Sequence, residues 1–207
     1  MKKRGFTLAE VLITLGIVGV IAALTMPMLV GQSKNQANAT KLSSTVSNIE
    51  NALSSVVAKE AEEDLLDTEL WGKVGTPDDF VDELENYLQC TYVEDIYGDK
   101  NIRKLNKEAG DTPAGDAYRL KSGAVMFISD STNSEDADFI ATVIIDVNGA
   151  EVPNTYGRDI FFYKLGAKGF LYPYGGEKVG GNYACTLDSD GMGCAGKLLA
   201  EGYKMNY

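Results

Sequence analysis
Residues 1–30 read MKKRGFTLAEVLITLGIVGVIAALTMPMLV, and this stretch decides the architecture. Lys2, Lys3 and Arg4 open it, Glu10 is the next charge, and Val11 to Val30 carry none. The run ends before Lys34. At about 1.5 Å of rise per residue, a helix of that length spans about 30 Å, the thickness of a bilayer's hydrocarbon core. The three bases place the N-terminus on the cytoplasmic side by the positive-inside rule. A cleaved secretory signal shares the basic start, but its apolar core is usually about 7 to 15 residues long. This run is longer and begins with an acid. A plain transmembrane anchor would hold Glu10 one turn into the apolar segment. A carboxylate there costs up to roughly 3 kcal/mol near a helix centre and less near the interface. Anchoring alone does not require that cost.

Another reading gives the acid a purpose. A short basic leader ending in Gly5, then Phe6, then Glu10 at the fifth place counted from Phe6, resembles the type IV prepilin signature. The resemblance implies cleavage after Gly5 by a prepilin peptidase, methylation of the new Phe6 amine, and retention of the apolar helix. It also implies partners: other copies of the chain, related pilin-like subunits and an inner-membrane assembly platform. A freed α-amine is largely cationic at neutral pH, with an ordinary pKa near 7.7 to 8.0. An unpaired charge in an apolar bundle is costly, and an opposite charge compensates it. Glu10 of one subunit can therefore meet the Phe6 amine of a neighbour and set the axial register of a filament. The alternative is a pair within one chain, since the two lie four residues apart on one helix. Gly19 and Pro27 match the family's habit of loosening this helix during assembly; both residues are also common in ordinary membrane helices. Gly16 and Gly19 would let neighbouring helices approach closely.

Beyond Lys34 the periodicity continues. Leu42, Val46, Ile49, Leu53 and Val56 form one apolar stripe, with Lys41, Ser44, Asn48, Asn51 and Ser55 elsewhere around the helix. One helix from about 6 to about 60 is expected, the two-part helix of pilins. Six acids between Glu60 and Glu69 read as a solvated helix end or loop. Thr76 and Pro77, followed by Asp78 and Asp79, signal a second helix running to about Leu88. Residues 90–116 are poor in apolar side chains and read as a long surface connection. A hairpin around Ser122 and Gly123, a β-branched strand over 139–146, a turn at Asn148 and Gly149, and strands near 159–163 and 169–172 complete the reading. Helices first and an antiparallel meander after them mean an α+β head. The segments 145–162 and 194–207 also resemble the heads of pseudopilin-type proteins. The expected organisation is a leader at 1–5, a transmembrane or filament-core helix at 6–33, its amphipathic continuation and acidic linker at 34–75, and a head at 76–207.

Composition narrows the chemistry. With 207 residues, 44% hydrophobic and 24% charged, the chain is neither disordered nor collagen-like. Acids outnumber bases 30 to 19, so nucleic-acid binding is disfavoured. Lys100, Arg103, Lys104 and Lys107 form a basic cluster that reads as a solvated face. There is no histidine, which removes the usual general base, the Ser-His and Cys-His pairs, and the commonest zinc ligand. Gly175, Gly176, Gly180 and Gly181 lack a phosphate-loop Lys-Ser/Thr. Three cysteines, Cys90, Cys185 and Cys194, leave open a Cys185–Cys194 bridge, a bridge from Cys90 to either, or free thiols. In an exported head the first would close a short loop like the C-terminal disulfide loop of pilins, stabilising the fold by roughly 2 to 3 kcal/mol. No cofactor is expected. Calcium, which major pseudopilins can bind, has weak candidate ligands in Asp188 and Asp190, with Asp146, Asn148 and Asp159 as a second group. Turn chemistry explains all five equally well.

The whole reading is a non-catalytic filament subunit, a pseudopilin of a type II secretion system. The alternatives are a minor pilin for adhesion or DNA uptake, and an exported soluble enzyme or binding protein.

Overall fold
The computed structural model describes residues 5, 7–130, 138–179 and 183–207. Phe6, the leader bases, Gly180 and Gly181 lie outside them. The described chain is α+β. It falls into two compact units, Met1–Ala37 and Asn38–Tyr207. Helix α1, Leu8–Glu60, contributes to both.

In the second unit, Leu42, Val46, Ile49, Leu53 and Val56 are all buried, joined by Ala39 and Ala52. The five polar positions assigned to the rest of the helix are exposed. A one-sided stripe of this kind folds because it removes an apolar face from water. After α1 come a 3-10 turn at Leu65–Asp67 and the short helix α2, Glu69–Gly72. Asp64 accepts from the Leu66 N–H and Thr68 from the Trp71 N–H, so each start is capped. The acidic stretch is thus more than a solvated loop. Its acids face outward while Leu65 and Leu70 are fully buried.

Helix α3, Pro77–Leu84, stops about four residues short of expectation. The backbone turns tightly there, with the Tyr87 and Leu88 N–H groups both returning to the Leu84 carbonyl, and the chain enters the sheet at Cys90. Pro77 sits in the first turn as expected, but Thr76 provides no side-chain cap. Its hydroxyl donates to the Lys73 carbonyl instead.

Six strands follow: β1 Cys90–Tyr92, β2 Asp116–Leu120, β3 Val125–Asp130, β4 Phe139–Asp146, β5 Ile160–Gly166 and β6 Leu171–Pro173. They pair antiparallel in chain order. A register irregularity lies between Phe139 and Ala141. β4 is nearly continuous in buried apolar residues, and such a strand needs cover on both faces. One face packs against the helices: Ile140, Val143 and Ile145 join the α1 stripe, Phe80 and Leu198. The other carries Phe139 and Ile144 with Phe127, Ile160 and Phe162. Residues 90–116 supply much of its cover, against the expectation of a surface loop. β1 is an edge strand, Tyr97 and Ile102 are buried on this second face, and the Tyr97 ring stacks on Phe127 at 5.8 Å.

Helix α4, Cys194–Ala200, closes the chain. It approaches residues 173–176 at backbone distance: a Cβ on Gly196 would stand 2.3 Å from the Gly175 carbonyl carbon. The Gly196 N–H donates to the Tyr174 carbonyl at 2.9 Å.

Candidate functional site
The first unit is an apolar helix, exposed among the described residues. Its large side chains from Leu8 to Met26, and those of Leu29 and Val30, are exposed, Leu12, Ile13, Leu15 and Val18 each by more than half. The two threonines of its apolar stretch are satisfied within the helix. Thr14 donates to the Glu10 and Val11 carbonyls, and Thr25 to the Ile21 carbonyl. Internal satisfaction is what a segment needs in lipid, where no water can pair its backbone or hydroxyls. Pro27 lies inside the helix and offers no N–H to the Ala23 carbonyl one turn below. Gly16 and Gly19 have open space where a Cβ would be, among the described residues.

Glu10 sits in the first turn. Its carboxylate accepts from the Thr7 N–H and the Thr7 hydroxyl, both at 2.8 Å, and the Thr7 oxygen accepts the Glu10 N–H at 3.2 Å. This reciprocal Thr-x-x-Glu arrangement is a capping box. Its sequence signal was present at Thr7 and Glu10. Looking for a charge partner alone misses it. In the uncleaved chain, then, Glu10 closes the start of α1 through Thr7. Gly5 is exposed just ahead of it.

With that geometry in place, the likeness to known proteins becomes specific. Residues 1–26 match the model of the prokaryotic N-terminal methylation motif. The chain carries that motif. Over 52 residues it is 44% identical to type II secretion system core protein G of Escherichia coli (strain K12), a stretch covering 25% of this chain and 35% of that protein. The chain thus spans about a third of that relative's length. No solved structure matches.

The other candidate positions lie in the second unit. Cys185 and Cys194 are disulfide-bonded, with S–S 2.01 Å, at the start of α4. Cys90 is a free, buried thiol whose pKa burial pushes up to about 11, with Glu85 adding to the effect. It is therefore a poor nucleophile. Asp188 is exposed, and Asp190 spends one oxygen on the Met192 N–H at 2.9 Å. That is turn chemistry. Asp146 and Asp159 are fully buried. Asp146 accepts from the Tyr97 hydroxyl at 2.7 Å and the Asn148 N–H at 3.1 Å. Asp159 accepts from the Asn154 and Thr155 N–H groups. The pair therefore ties Tyr97 and the 147–159 loop to the sheet. Among the described residues, no three His, Cys, Asp or Glu side chains are grouped to hold a metal. Burial pushes the Asp146 carboxyl up to about 8, against the opposing hydrogen bond from Tyr97. Burial likewise lifts Asp159 to about 6.

Proposed function
We propose that this chain is a structural subunit of a type IV pilus-like filament, specifically a pseudopilin of a type II protein secretion system. Prepilin peptidase would cut between Gly5 and Phe6, Phe6 would be methylated, and α1 would pass from the membrane into the filament core. The head would lie outside the cytoplasm. The role is mechanical and asks for no cofactor and no catalytic residue. One observation carries the reading: a glutamate placed at the start of an uncovered apolar helix, within a methylation motif. Cleavage would separate Thr7 from the leader and create a cationic amine one turn from Glu10. The carboxylate would then leave the capping box, wholly or in part, for the amine of a neighbouring subunit. Gly16, Gly19 and Pro27 would let the helix bend and pack as it does so. Replacing Glu10 with Ala tests this: the variant should be cleaved normally yet yield no filaments by electron microscopy of sheared material. Normal filaments from Glu10→Ala would remove Glu10 from the assembly mechanism.

A further inference from the structure
The second unit carries two oppositely charged patches. Lys41 from α1, Lys100 from the loop after β1 and Arg119 from β2 line one shallow groove of about 460 Å³. The turns at 122–123 and 147–151 complete it, and Glu151 is the one acid among its lining residues. All three cations are exposed. Lys100 donates to the Ala150 carbonyl at 2.7 Å, and among the described residues none of the three is in an ion pair. This runs against the composition of the chain, whose net charge is -11. Along the sequence Lys100 belongs with Arg103, Lys104 and Lys107; the fold instead groups it with Lys41 and Arg119.

The acidic patch follows the end of α1. Glu60 accepts from the Glu69 N–H, Asp64 caps Leu66, and Glu69 pairs with Lys73. Glu62, Glu63 and Asp67 remain exposed and outside any ion pair among the described residues. Lys59 is turned over the Tyr87 ring, and Lys168 donates to the Glu63 carbonyl, so neither base forms an ion pair with those three carboxylates among the described residues. Between positions 41 and 60, α1 rises about 28 Å at the usual pitch. The patches therefore sit far apart along the helix and cannot meet within one chain.

We propose that the Lys41, Lys100 and Arg119 groove docks the acidic segment 60–69 of a second copy of this chain. Two different patches separated along the helix join copies head to tail. Such a heterologous contact leaves one patch free at each end of a chain of copies, so it propagates in one direction unless its rotation closes a ring. The proposal rests on the filament reading for its setting, but the contact itself is between second units. Exposed pairs are individually weak and screened by salt, so the contact sets register and direction more than strength.

Charge reversal of the full-length protein in mild detergent tests this. Sedimentation would be measured near 0.01 M and near 0.5 M salt, about 30 Å and 4 Å of screening length. The wild type should associate more strongly at low salt. Lys100→Glu with Arg119→Glu makes both patches acidic, and Glu62→Lys, Glu63→Lys and Asp67→Lys together make both basic, with Glu69 answered by Lys73. Each variant alone should associate about tenfold more weakly at low salt. An equimolar mixture should recover wild-type association, because each variant's groove then meets an opposite charge. Recovery cannot come from misfolded chains. Salt-independent wild-type association, a wild-type-like variant, or a mixture as weak as its parts would each overturn the proposal. If the charge pattern holds while the chain is never cleaved at Gly5, the filament reading fails and the contact stands.

Discussion

At the residue scale, one substitution can separate the cap that Glu10 forms from the assembly role proposed for its charge. As the last residue of the capping box it accepts hydrogen bonds from Thr7. As a charge it would meet an amine. Glu10→Gln keeps an acceptor for the cap and removes the charge. If pairing drives assembly, Glu10→Gln should be cleaved but should fail to form filaments, the outcome also expected of the alanine variant. If it assembles normally, the cap is what matters. Asp146 offers an independent test by pH. Its folded-state pKa is raised to about 8, well above the ordinary value for an aspartate near 3.9. Between those values the folded chain holds a proton that the unfolded chain has released. Stability is therefore fully present at low pH and lost as pH rises through about 8, with Asp159 adding a smaller loss through about 6. Denaturant titrations followed by the fluorescence of Trp71, the single tryptophan, should show midpoints falling from pH 5 to pH 8. Asp146→Asn should flatten that slope. Neither the cap nor the buried carboxylates were read from sequence. Asp146, Asn148 and Asp159 look like turn residues until the fold shows that Tyr97 donates to Asp146.

At the element scale, the two parts of α1 should respond oppositely to truncation. Leu42 is fully buried against the sheet, so Leu42→Ala should cost about 2 to 5 kcal/mol of head stability. Leu15 is 63% exposed, so Leu15→Ala should change the same measurement by less than about 0.5 kcal/mol. This contrast was legible in the sequence: a stripe spaced three and four residues apart in one part, apolar residues all round in the other. The central strands were legible for a similar reason, since 139–146 is rich in β-branched residues. The segment 90–116 was not. Tyr97, Ile102 and Leu105 are buried there at spacings that fit neither helix nor strand. An irregular loop that covers a sheet face leaves no periodic trace.

At the scale of the whole molecule, the chain combines an uncovered apolar helix with an α+β unit that is acidic overall. Only Glu10 is charged between Phe6 and Gln32, so nearly all the negative charge belongs to the second unit. That unit has its own core on both faces of one sheet, with its C-terminal segment held by the Cys185–Cys194 bridge. An uncovered helix of this length has to be buried in lipid, in other helices, or in each in turn. On the proposed reading the N-terminal motif would connect those environments, because cleavage at Gly5 would create the charge that Glu10 answers. The most direct test is the mass and N-terminal sequence of the mature protein isolated from its own cell. The account predicts a chain that begins at Phe6 with a methylated amine and retains the whole of α1. A chain beginning near Thr25, with the apolar helix removed, would contradict it.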